Sequence, residues 1–183
     1  MTVIVAVAKS NEIWIGADSF WGGCYHVSAT KDTKKLIPLG NSVIGIAGLS
    51  VVRDIVQEMA IESDWENYQV VDKPSARKLG IEFHRRIKEA VERGTAKNKE
   101  QNQEDAEFII ASPHGIFKVY HDLSCFGPEP FVSKGAGWEL ARGAYEVATK
   151  LWSNPEKIVK TCIEAACTAS PLCALPIDII KIC

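Results

Sequence analysis

Apolar positions alternate loosely from Thr2 to Ala8, break at the polar pair Ser10-Asn11, and resume from Glu12 to Asp18. A two-residue period rich in valine and isoleucine predicts strands, and a short polar break between two such runs predicts a hairpin. The segment KKLIPLGNSVIGIAGL repeats the pattern around Gly40-Asn41. Pro38 cannot donate to a ladder, which places the first strand of that pair near an edge or a bulge. The second, Ser42 to Ala47, is apolar on both parities, as a strand covered on both faces requires. Between the two hairpins, residues 20–33 carry Gly22-Gly23 and mixed polarity, and predict a loop with at most a short strand.

The period then becomes helical. Val52, Ile55, Val56, Met59 and Ala60 share one helix face, and Leu79, Phe83, Ile87 and Val91 recur every four residues. The second of these helices is predicted to start after Pro74 with Ser75 as N-cap and to stop at Gly94. A polar, breaker-rich loop follows, with Lys97 to Asp105 as an exposed candidate for partner contact. Strands return at 107–112 and 116–121 around Pro113-His114-Gly115, and 125–131 reads as a loop. Helices are predicted over 138–152 and, after Asn154-Pro155, over 156–169, and a strand over 177–183.

Strands and helices thus fall in blocks. That order argues against βαβ units and for antiparallel sheets with helices packed outside, an α+β architecture. There is no internal repeat, low-complexity tract or linker, so residues 1–183 are expected to form one domain. The helix pair of the 50s–90s and the pair at 138–169 are expected on opposite outer faces.

Composition narrows the function. Lys and Arg total 21 against 23 Asp and Glu, a net charge of −2. This near-balance gives no electrostatic footing for nucleic acid or an anionic membrane. No apolar run approaches the ~18 residues of a membrane helix, and the apolar start lacks the basic lead of a signal peptide. The six cysteines, at 24, 125, 162, 167, 173 and 183, form no C-x-x-C pair. They read as reduced structural thiols of a cytoplasmic protein. No metal site and no cofactor motif is found.

Thr2 poses the chemical question. A threonine behind Met1 is either a β-former at a chain end or, once Met1 is removed, a hydroxyl nucleophile beside its own free amine. Asp18 ends the second strand, where a buried carboxylate needs a partner, and otherwise it merely begins a loop.

The stretches TVIVAV, IGADS, KKLIPL, GIAGL, SKGAGWELARGAYEVA and IDIIKI, taken in order over the whole length, resemble the proteasome β-subunit family of N-terminal nucleophile hydrolases. They also resemble the bacterial heat-shock peptidase that forms double-hexamer rings fed by an unfoldase ATPase. The resemblance implies a four-layer α-β-β-α sandwich of two antiparallel sheets. It also implies a threonine peptidase, with stacked homo-oligomeric rings, an ATP-dependent unfoldase as partner, and peptide or unfolded protein as substrate.

It further implies roles for particular residues. Thr2 would be the nucleophile, Asp18 the partner of an active-site lysine, and Gly48 the donor of an oxyanion-hole N–H. Lys35, which precedes Leu36, matches that lysine, and Lys34 stays open because the strand carries an extra residue. Ile46 matches a residue lining the pocket for the substrate side chain before the cut. Three accessory positions depart from the family. Gly135-Ala136-Gly137 stands where Gly-Ser-Gly is usual, so Ala136 lacks a hydroxyl. Ser170 and Cys173 stand where an aspartate and a serine are usual. These departures keep two other readings in play, a degenerate structural subunit and an amidase acting on a small substrate.

Overall fold

A computed structural model of the chain describes residues 2–23, 26–29, 34–48, 50–93 and 107–183. Met1, Cys24, the predicted helix stop at Gly94 and the loop containing Lys97 to Asp105 lie outside the described residues.

The first alternating runs form a hairpin of β1 (Ile4–Lys9) and β2 (Glu12–Asp18). The last strand, β11 (Ile177–Ile182), pairs with β2, and β10 (Phe131–Lys134) pairs with β1. The result is a four-stranded sheet in the order β10-β1-β2-β11. The second hairpin, β5 (Leu36–Leu39) and β6 (Ser42–Ala47), opens a five-stranded sheet. It continues through β7 (Glu107–Ser112), β8 (Gly115–Val119) and β9 (Cys125–Phe126). All pairings given for both sheets are antiparallel. Pro38 lies on β5, an edge strand, where its missing N–H leaves no gap in the ladder.

Two helices cover each sheet. The five-stranded sheet packs against α1 (Ser50–Ala60) and α3 (Lys73–Glu92), the four-stranded sheet against α4 (Trp138–Leu151) and α5 (Pro155–Ala169). Strand parity divides the core into three apolar layers. Ile44, Ile46, Phe108 and Ile110 meet Val56, Leu79 and Phe83 on the helix side of the five-stranded sheet. Val3, Val5 and Val7 meet Ile158, Val159 and Ile163 on the helix side of the other. Ile4, Ala6, Ile15, Val43, Ile109 and Ala111 fill the seam between the sheets. β1 and β6 are therefore buried on both faces, which is why their sequences show no polar face. The layers stack as α-β-β-α, with the helix pairs on opposite outer faces.

Local details differ from the sequence reading. α3 begins at Lys73, and its cap is Asp72, not Ser75: the Asp72 carboxylate accepts from Ser75 N–H at 2.8 Å, and the Ser75 hydroxyl accepts from Asp72 N–H at 3.0 Å. Ser75 is thus the return half of a reciprocal capping pair, and Pro74 sits in the first turn, where its missing N–H costs nothing. Residues 20–29, read as largely loop, contain a two-stranded ribbon of β3 (Phe20–Gly23) and β4 (His26–Ala29). The 125–131 loop contains β9 and the start of β10. A short helix, α2 (Ser63–Glu66), joins α1 to α3. No helix among the described residues is long and apolar enough to cross a membrane.

Candidate active site

Thr2 stands one turn of pleat ahead of β1, and the hairpin register places Asp18 beside Val3, with Asp18 N–H donating to Val3 O at 3.2 Å. The two side chains meet there. Thr2 Oγ1 donates to Asp18 Oδ1 at 2.7 Å, and the ammonium of Lys35 donates to the same oxygen at 2.6 Å. Val3 N–H adds a third bond to Oδ1 at 2.8 Å. The other oxygen, Oδ2, accepts from Phe20 N–H and Ala174 N–H, both at 3.0 Å. Asp18 is 2% exposed, and a carboxylate is tolerable at such depth only when it is paired and hydrogen-bonded in this way. Three of its five partners are backbone groups, so its position is fixed by the fold itself.

Lys35 arrives from the other sheet. It immediately precedes β5, held by Ile46 N–H donating to its carbonyl at 3.2 Å. Burial pushes its pKa below the ordinary 10.5, and the Asp18 carboxylate opposes that shift without cancelling it. Of the two adjacent lysines, it is Lys35 that reaches Asp18, while Lys34 is exposed.

Thr2 forms part of the wall of a cleft of about 400 Å³, together with Ala47, Gly48, Glu107, His121, Gly135 and Ala136. The turn at 135–137 wraps the Thr2 backbone, and Gly137 N–H donates to Thr2 O at 3.3 Å. Gly135 has φ +90, and a Cβ there would lie 2.3 Å from Thr2 O. Only glycine fits that approach. Gly48 follows β6, is exposed, and lines the cleft.

The remaining predicted positions scatter. Ala136 lines the cleft and brings no polar group. Ile46 is not among the cleft-lining residues. It is 5% exposed and packs in the layer against α1 and α3. The Ser170 hydroxyl accepts from Leu172 N–H at 3.2 Å in the turn after α5. Cys173 is buried against Gly137 and next to Ala174, whose N–H holds Asp18. Burial, and then the Asp18 charge, raise the Cys173 thiol above its usual range.

Glu107 and His121 were not singled out in the sequence. Glu107 starts β7 opposite Ala47, and its carboxylate pairs with Lys134 at 2.8 Å. His121 follows β8 and is exposed on the cleft. Neither sits in a motif, and only the sheet register brings them to Thr2. Among the described residues, no group of three or more His, Cys, Asp or Glu could hold a metal ion.

A hydroxyl at a cleft wall, hydrogen-bonded to a buried carboxylate that also holds an ammonium, is chemically able to serve as a nucleophile once a nearby base takes its proton. Exposed glycine backbone beside it suits close approach of the developing oxyanion.

No family model matches the chain, and no curated protein matches it significantly. Solved structures do. BPH from Thiobacillus denitrificans, in complex with epoxomicin, superposes with a TM-score of 0.83 at 20% identity, covering 98% of this chain and 97% of that one. Eukaryotic HslV from Trypanosoma brucei gives 0.73 at 18% identity, with 98% of each chain covered. Anbu, an ancestral beta-subunit from Yersinia bercovieri, gives 0.69 at 16% identity, covering 98% of this chain and 81% of that one. Two antiparallel sheets between two helix layers, matched over 98% of this chain by each of these three, are the fold of the proteasome β-subunit family of N-terminal nucleophile hydrolases.

Proposed function

We propose that the chain is a threonine-type peptidase subunit of a proteasome-like ring, cleaving peptide bonds with Thr2 after removal of Met1. The observation that carries this reading is the Thr2–Asp18–Lys35 constellation at the wall of the cleft. A free Thr2 amine, with an ordinary pKa of ~7.7–8.0, takes the hydroxyl proton as Oγ1 attacks the substrate carbonyl. The Lys35 cation, held by Asp18, stabilises the charge that develops and keeps the nearby amine neutral by repulsion. Gly48 N–H receives the oxyanion. Collapse expels the amine half of the substrate, which leaves with the proton. Water then hydrolyses the ester on Thr2. Enclosure in a homo-oligomeric ring would keep such a nucleophile from folded cell proteins, with an ATP-dependent unfoldase supplying unfolded chains.

Ala136 favours a second reading, a structural subunit with weakened catalysis, because the turn around Thr2 offers no hydroxyl to orient the amine. One experiment separates the two. Intact-mass measurement of purified protein is expected to show Met1 absent. Incubation with epoxomicin is expected to add one molecule per chain and to add none to Thr2→Ala, which also loses hydrolysis of short peptides while Thr2→Ser keeps part of it. Chains that lack Met1 yet stay unlabelled and inactive on a broad peptide panel would establish the structural subunit instead.

A further inference from the structure

Strand parity assigns one face of each strand to the seam between the sheets. On β7, Ile109 and Ala111 lie in that apolar layer, and on β10 Val132 does. A period of two continues the same faces to Glu107 and Lys134. Their strand partners agree: Glu107 stands opposite Ala47 and Lys134 opposite Ile4, both members of the seam. Two charged residues thus take up positions of an apolar layer, at the place where it opens into the Thr2 cleft.

The pair bridges the two sheets. Lys134 Nζ donates to Glu107 Oε1 at 2.8 Å. The ammonium also lies over the Tyr120 ring, 4.1 Å from its centroid, and is held from two sides. The partners are unequally placed. The Lys134 side chain is 17% exposed and is not among the described residues that line the cleft, whereas the Glu107 side chain is 31% exposed and its residue forms part of the wall. The cleft therefore meets the carboxylate, with the ammonium set back from it. Bracing of the sheets occupies Oε1, and Oε2 accepts no hydrogen bond from any described residue. A carboxylate oxygen of that kind has room for a further donor.

We propose that Glu107 gives the cleft a preference for peptides with a lysine or arginine side chain flanking the bond that Thr2 attacks. The ammonium or guanidinium of that side chain donates to Oε2 in a charge-assisted hydrogen bond. The spacing suits it. Glu107 is the cross-strand neighbour of Ala47, and Ala47 precedes Gly48 on the cleft wall. Opposed Cα atoms of paired antiparallel strands are about 4.5–5.5 Å apart, so a long cationic side chain beside Gly48 spans the distance. An aspartate or glutamate side chain at the same place meets like charge. His121, the other titratable group on the wall besides Glu107 among the described residues, is exposed and, when protonated, favours the opposite class of side chain. This inference rests on the threonine-peptidase reading, to which it adds a class of substrate.

The test uses the full chain. Mass-spectrometric mapping of its cleavage sites in a denatured protein reads both flanks of the cut at once, and lysine and arginine are expected to be enriched at one of them. Short peptides that carry lysine or norleucine at that flank are expected to differ about 10-fold in kcat/KM. Glu107→Gln keeps the side-chain shape and is expected to bring this ratio close to one, whereas Glu107→Asp keeps part of it. A residue that only braces the sheets would slow both peptides alike, so an unmoved ratio in Glu107→Gln overturns the proposal. A wild type that cleaves without regard to charge overturns it too, as does one that favours acidic flanks and loses this in His121→Ala, and in all three cases the peptidase reading stands. A wild type that lacks Met1 and cleaves no peptide overturns both.

Discussion

Asp18 accepts three backbone N–H groups, a hydroxyl and an ammonium, so its removal strands several polar groups at once. Asp18→Ala removes one half of the buried Lys35–Asp18 ion pair, a loss of about 3–5 kcal/mol. Thr2→Ala gives up one hydrogen bond to the same carboxylate, about 1.5 kcal/mol. Urea unfolding of the two variants should therefore rank Asp18→Ala well below Thr2→Ala in stability, although both are expected to abolish peptide hydrolysis. Thr2, Asp18 and a lysine were legible in the sequence because each sits at a strand end within a recognisable stretch. Lys35 was favoured over Lys34 only by its match to the family's lysine before Leu36; adjacent residues at a strand start point to opposite faces, and the register decides that Lys35 reaches Asp18. Glu107 and His121 were illegible for a related reason. Glu107 reaches the cleft through the pairing of β7 with β6, some sixty residues earlier in sequence, and His121 follows β8, the next strand of the same sheet; no local pattern encodes that.

At the scale of elements, helices with a strong four-residue repeat were readable along their length, but their ends were less so. Asp72 and Ser75 are both capping residue types, and the reciprocal bonds between them, invisible in the sequence, assign the cap to Asp72. β10 was missed because four residues between prolines and glycines carry too little period to register. α3 also holds a charge cluster: Glu82 lies between Arg85 and Arg86, and Arg86 reaches across to Glu62 beside α2. The Arg85 and Arg86 guanidiniums hold the Glu82 carboxyl at about 2, against an ordinary 4.5. A depressed carboxylate pKa stabilises the fold above the unfolded-state value and loses that contribution as pH falls through the folded one. Between pH 4.5 and 2, wild type is thus expected to lose about 1 kcal/mol more than Glu82→Gln does, after solvent screening is allowed for. Thermal unfolding followed across that interval checks it, and parallel curves for the two proteins would remove the cluster's role.

The whole molecule divides the site between its two sheets. Thr2, Asp18 and the 135–137 turn belong to the four-stranded sheet, and Lys35, Gly48 and Glu107 to the five-stranded one. The 2.6 Å Lys35–Asp18 bond is consequently a gauge of the spacing between layers. Deep in the seam, Gly45 lets the sheets close on each other, and a Cβ there would sit 2.8 Å from Ile4 Cγ2. Gly45→Ala is expected to wedge the layers apart on β6, two residues before the cleft-lining Ala47. A shift well under 1 Å still misaligns cation and hydroxyl, with a rate loss of about 10-fold or more. Activity measured during a slow temperature ramp should then vanish in Gly45→Ala while near-ultraviolet circular dichroism still reports a folded chain. Chemistry would fail as a matter of alignment between two slabs, before either slab has melted.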